Sequence, residues 1–150
     1  MIKSILFGSK LCQRVITVYL LLIYVHTGYA MAQYIPEEIS EKIWECIGIY
    51  SDGRMQSQFD KKSYTMTFNS DGTVYVLADC NQGKASAKFV EGGLVEIQRL
   101  TTTRAMCPPE SLSNEFIDHM RNMRKWQNQG GKLFILGADN GILLEFEEKL

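Results

Sequence analysis

Short runs of alternating apolar and polar residues, each closed by a glycine-bearing turn, constrain this chain more than any other feature. Residues 63–69 (SYTMTFN) send Tyr64, Met66 and Phe68 to one face and Thr65 and Thr67 to the other, the period-two pattern of a half-buried strand. Asp71-Gly72 follows, a turn in which glycine takes the positive φ that other residues avoid, and residues 74–79 (VYVLAD) run back. Cys80-Asn81-Gln82-Gly83 reads as the next turn, leading into residues 85–90 (ASAKFV), and Gly92-Gly93 turns the chain into residues 94–98 (LVEIQ). Upstream, residues 43–50 (IWECIGIY) are β-rich in character and end at Ser51-Asp52-Gly53. Short strands joined at near-regular spacing by tight turns predict an antiparallel meander.

The pattern changes after Pro108 and Pro109. Leu112, Phe116, Ile117, Met120 and Met123 recur at helical spacing and predict one apolar stripe. Proline suits a first helical turn because its missing N–H would be unbonded there anyway. Glu110 near the start, and Arg121, Arg124 and Lys125 near the end, suit the helix dipole. With Gly130-Gly131 as the stop, the expected helix has about four turns at 3.6 residues each. Residues 132–136 and 142–146 then predict a closing hairpin. The expected class is α+β: an antiparallel, partly closed, cracked-barrel-like sheet of about seven or eight short strands, with one helix packed across its concave face.

The amino terminus carries a different message. Residues 1–14 hold Lys3, Lys10 and Arg14 and no acidic side chain; residues 15–25 (VITVYLLLIYV) are apolar; Ala30-Met31-Ala32 follows before Gln33. A basic head, a short apolar middle and an A-x-A site are the parts of a secretory signal peptide. The apolar run is shorter than the ~20 residues a spanning helix needs, so cleavage after Ala32 is expected, with export to a periplasm or beyond and no stable membrane anchor. Cys12 precedes the apolar run, which argues against lipidation. Residues 33–42, with Pro36, look like a linker, and residues 43–148 form the expected domain. Residues 33–150 hold thirteen basic and seventeen acidic side chains, a net charge of −4. That balance argues against nucleic acid as a partner, since neutralising phosphates requires a basic surface.

Three cysteines follow the leader: Cys46, Cys80 and Cys107. In an oxidising compartment, thiols brought close by the fold are normally bridged. The strand map puts Cys80 at a strand end and Cys107 at the entry to the helix, which makes them the favoured pair. A labile redox pair and a pair of metal ligands are the rival readings, though neither the C-x-x-C spacing of redox thiols nor a Cys/His cluster is present. Cys46, beside Trp44, is either a buried core thiol or the origin of an intermolecular bridge.

These elements together resemble the META domain, also called HslJ-like. The resemblance rests on Trp44 in the first strand, a hairpin ending in Cys80-Asn81, a threonine-led segment from Thr103 to Cys107, then a helix and a closing hairpin. It covers about residues 43–147. One departure is visible: the commoner family form has glycine before Cys-Asn, where this chain has Asp79. The ADCN and TRAMCPP pair resembles an extracytoplasmic bacterial branch with both cysteines, which implies the Cys80–Cys107 disulfide independently of the strand map. The resemblance implies an envelope protein linked to stress tolerance, secretion or motility, and a fold similar to that of a pilotin. It brings no catalytic set and no cofactor.

Candidate chemistry is sparse. His119, between Asp118 and Met120, is the sole histidine after residue 32, and the helical stripe leaves it on the polar face, a poor place for a base serving Cys107 or a serine. Arg121, Arg124 and Lys125 either dock an acidic partner or form a solvated helix face. Met66, Met106, Met120 and Met123 with Phe68, Phe89 and Phe116 are core, or else line a groove for an acyl chain. The expected protein is a non-catalytic, monomeric envelope protein that binds a protein partner or supports stress tolerance. The alternative is a carrier or sensor of a hydrophobic small molecule or lipid.

Overall fold

The computed structural model describes residues 34–56 and 60–150, so the leader and its cleavage site lie outside the described residues. Nine strands follow in chain order: β1 (Ile43–Ser51), β2 (Arg54–Gln56), β3 (Tyr64–Phe68), β4 (Thr73–Ala78), β5 (Asn81–Val90), β6 (Leu94–Thr102), β7 (Lys125–Gln129), β8 (Lys132–Leu136) and β9 (Ile142–Glu148). Among the described residues one α-helix, α1 (Ser113–Asn122), enters between β6 and β7. Each strand pairs antiparallel with the next, except that β3 joins β1 alongside β2, and β1 also pairs with β9, so the sheet returns on itself as a ring. The expected class holds, with a somewhat higher strand count.

Alternation decides what the ring encloses. Tyr64, Met66 and Phe68 of β3, Val74, Val76 and Ala78 of β4, and Ala85, Ala87 and Phe89 of β5 are all buried, as period-two side chains on one face must be. Trp44 and Cys46 start β1 on the inner face; a bulge between Cys46 and Gly48 then shifts the phase, so that Ile49 completes the set. Phe116, Ile117 and Met120 of α1 and the following Met123 fill the interior. The Phe116 ring stands 5.5 Å from Tyr64 and 6.1 Å from Phe146, distances at which tilted aromatic pairs add to area burial.

Several expectations need correction. The helix spans ten residues, and Pro108 and Pro109 lie in the loop before it. Lys125–Gln129 is strand β7, paired with β8 in register from Lys125↔Leu136 to Gln129↔Lys132. Gly130-Gly131 is therefore the turn of a two-residue hairpin rather than a helix stop; both have positive φ, 62° and 79°, the combination a type I′ turn demands. The amphipathic stripe ends at Met123, and the backbone groups beyond it are met by strand pairing instead.

The turn assigned to residues 80–83 sits two residues earlier. Ala78 pairs with Asn81 across a two-residue turn of Asp79-Cys80, and Asp79 has φ 57°. The family's usual glycine is thereby explained: this position requires the left-handed region, which aspartate tolerates better than most residues but glycine enters freely. Strand β6 continues to Thr102, past a bulge at the left-handed Arg99. Finally, residues 34–42 are no linker. Ile35 and Ile39 are buried in the core, Ser40 bridges Phe68, and the Ile39 carbonyl accepts from Trp44 Nε1 at 3.1 Å.

Candidate functional site

The first group of note is a polar hub at the β4–β5 turn. Cys80 and Cys107 are joined by a disulfide with Cα atoms 5.5 Å apart. With each sulfur bonded to the other, neither is a thiolate available to a metal or a nucleophilic step. Beside them Asn81 is 4% exposed. Its Oδ1 accepts from Ala105 N at 2.8 Å and Thr103 Oγ1 at 3.0 Å, and its Nδ2 donates to Ser113 Oγ at 3.1 Å. Thr103 Oγ1 in turn accepts from Gln82 N at 2.9 Å. A side-chain amide can satisfy donors and acceptors together, so one asparagine ties strand β5, the threonine-led segment and the first turn of α1. This Cys-Asn motif is an architectural joint.

The remaining candidates are each placed. Cys46 is fully buried and unbridged, its Sγ donating to the Gly48 carbonyl at 3.4 Å. Burial pushes its thiol up to about 12, the core-thiol reading rather than the interchain bridge. His119 is not the solvated histidine expected: its side chain is 16% exposed, and Nε2 is buried without a hydrogen bond, 3.8 Å from Glu115 Oε1. Arg121 pairs with Asp118 at 2.7 Å, Arg124 donates to the Arg121 and Met123 carbonyls, and Lys125 reaches Asn140 Oδ1. The basic run is therefore occupied at the helix end, where cations meet unpaired carbonyls.

Most of the methionines and phenylalanines considered for an acyl groove are interior. Met66, Phe68, Phe116, Met120 and Met123 expose no surface, so none of them faces a void large enough for water. Met106 is 99% exposed in the loop before Cys107. Phe89, at the end of β5, lines a concavity together with the β5–β6 turn and Trp126.

This second group is a cleft of about 680 Å³ where the β5–β6 turn meets Trp126 of β7, beside the start of the β6–β7 seam. The two strands share one register pair, Leu94↔Lys125, and the bonds Trp126 N to Gly93 O and Val95 N to Arg124 O, both 2.9 Å. Phe89 and Trp126, in edge contact at 5.8 Å, form its apolar floor with Val90. Tyr34, Glu37 and Glu38 from the amino-terminal segment and Glu91 from the β5–β6 turn rim it. Of these Phe89 alone was singled out from sequence, because residues 33–42 looked like linker and residues 125–129 like helix. The two Gly-Gly pairs were the signals that could have found it: each marks a hairpin turn, and so a strand on either side.

Comparison with known proteins bears on the fold. An NMR structure of a protein from Burkholderia xenovorans matches with a TM-score of 0.59 at 16% identity, covering 74% of this chain and 83% of that one. A crystal structure of a DUF4847 family protein from Bacteroides vulgatus matches with a TM-score of 0.54 at 16% identity, over 73% and 93%. No curated protein matches the sequence. The META domain profile matches residues 37–149, beginning inside the segment that packs against Trp44. With that match spanning most of its length, the chain belongs to the META domain family.

Proposed function

We propose that this chain is an exported, non-catalytic domain of the cell envelope that holds a protein partner at the β6–β7 seam. One observation carries the reading: interior side chains such as Met66, Phe68, Phe116 and Met120 expose no surface, while an open cleft stands where the amino-terminal segment, the β5–β6 turn and Trp126 meet. A carrier of hydrophobic molecules needs the reverse. The leader-like amino terminus and the surface disulfide support export, since such bonds persist in oxidising compartments.

A benzophenone amino acid placed at Val90, 48% exposed in the cleft, tests the reading against the same probe at Ile142, 37% exposed elsewhere. Irradiation of intact cells is expected to give a discrete protein adduct from Val90 and none from Ile142. Lipid extracted from the purified protein in equal molar amount, or adducts indifferent to position, would overturn it.

A further inference from the structure

The seam cleft is acidic on its rim and aromatic on its floor. Glu37, Glu38 and Glu91 are all exposed, and none has an ion-pair or hydrogen-bond partner among the described residues. No lysine or arginine is among the described residues lining the cleft. Elsewhere on this chain carboxylates are commonly paired: Glu148 with Lys42, Glu147 with Lys61, Glu145 with Lys132, Glu45 with Lys149. Three unpaired carboxylates around Tyr34, Phe89 and Trp126 set a negative potential over an apolar floor, and focused fields of this kind favour cations.

We propose that the cleft receives a basic segment of the partner protein, an arginine or lysine flanked by an apolar residue. This deepens the partner-binding reading and rests on it. Arginine suits the site best. Its planar guanidinium stacks on aromatic faces and takes two carboxylates in fork geometry. The apolar neighbour covers Val90 and the exposed Tyr34, which are 48% and 69% exposed in the free domain. A bare polyamine supplies the charge but leaves that apolar surface wet, which is why a peptide segment is the fitting occupant.

The probe is a capped pentapeptide with two arginines and one leucine, titrated into the protein exported under its own leader. Binding is followed by calorimetry and by the fluorescence of Trp126, Trp44 being a buried, constant background. Each glutamate-to-glutamine change (Glu37→Gln, Glu38→Gln, Glu91→Gln) is expected to weaken binding about two- to fivefold, the range for exposed ion pairs. The triple variant is expected to lose roughly tenfold or more, and raised salt to weaken the wild type by screening. All three positions are exposed, so the variants fold.

Equal binding of the same peptide with glutamates for arginines, unchanged affinity in the triple variant, or spermidine bound as tightly as the peptide would each overturn the proposal. The cross-link at Val90 separates this from the broader reading. If the triple variant keeps the adduct, a partner sits there by other chemistry and the basic segment is wrong. If the wild type gives no adduct, the partner reading itself fails, and the basic-segment proposal falls with it.

Discussion

Replacing Asn81 with alanine tests whether the polar hub, and not the disulfide alone, holds the threonine-led segment to the sheet. The variant removes four bonds of 3.1 Å or less: those from Ala105 N and Thr103 Oγ1, and those to Ser113 Oγ and Cys107 Sγ. A typical hydrogen bond contributes about 1 kcal/mol net, and a buried group stripped of its partner costs about 1–3 kcal/mol more. Thr103 is exposed, so its hydroxyl turns to water; Ser113, 2% exposed, cannot do so easily. The expected loss is thus about 3–5 kcal/mol, a large share of the 5–15 kcal/mol typical of a domain. Equilibrium unfolding in urea reads it directly. At a slope of about 1–3 kcal/mol per molar, the midpoint falls by roughly 2 M with the slope unchanged. Intact mass must show the Cys80–Cys107 bond retained in the variant. A loss below about 1 kcal/mol with the bond intact would refute the reasoning, because it would mean that water replaces the asparagine without penalty. Asn81→Asp sharpens the test: it keeps one acceptor but turns a carboxylate oxygen toward the Ala105 carbonyl, which Nδ2 approaches to 3.4 Å. It should lose nearly as much at neutral pH.

Replacing Cys80 and Cys107 together by alanine should destabilise by about 3.5 kcal/mol on the chain-entropy relation for a separation of 27 residues; a urea midpoint equal to wild type would contradict it. Combined with Asn81→Ala, the total should fall short of the sum of the two losses, since both devices restrain one segment; strict additivity in the cycle would count against a shared joint. Cys46 should resist alkylation in the folded protein. Its folded thiol is raised to about 12, above an unfolded value near 8.5, so the folded state keeps a proton that the unfolded state gives up. The stability this represents is fully present below about pH 8.5 and falls by up to about 1.4 kcal/mol per pH unit as pH rises toward 12; Cys46→Ala should remove that part of the alkaline loss, and a fall identical in the variant would refute it. Asp79→Gly should be neutral or raise the thermal midpoint, while Asp79→Val should cost about 1–2 kcal/mol or more at φ 57°; the reverse order would show that the left-handed turn is not what this position selects.

Much of the sheet was legible because its information is local. The alternation of Tyr64, Met66 and Phe68, the Asp71-Gly72 turn and the apolar stripe of Phe116, Ile117 and Met120 each report a face through neighbours a few residues away. Where local signals conflicted, the reading failed. Lys125–Gln129 follows a helical stripe with no proline between, and nothing within that window says that its backbone bonds are met by β8 on one side and by Gly93 and Val95 near the other. Residues 34–39 are short and show no strand or helix period, yet Ile35 and Ile39 find their burial against strands brought round from elsewhere. The cleft was invisible for the same reason: its floor and rim come from three separated stretches, around Glu37, Glu91 and Trp126.

The sequence by itself determined the β-rich class, the helical stripe before the closing strands and most turn positions, because strand period, turn chemistry and helical periodicity act over a few residues; it favoured the Cys80–Cys107 pairing without deciding it. Only the tertiary structure decided that the sheet returns on itself from β9 to β1, that the methionines and phenylalanines of the interior leave no space there, and that three carboxylates gather unpaired at the β6–β7 seam. Ring closure and cleft geometry are set by which distant strands meet and in what register, a choice made by the packing energy of the whole core rather than by any one segment.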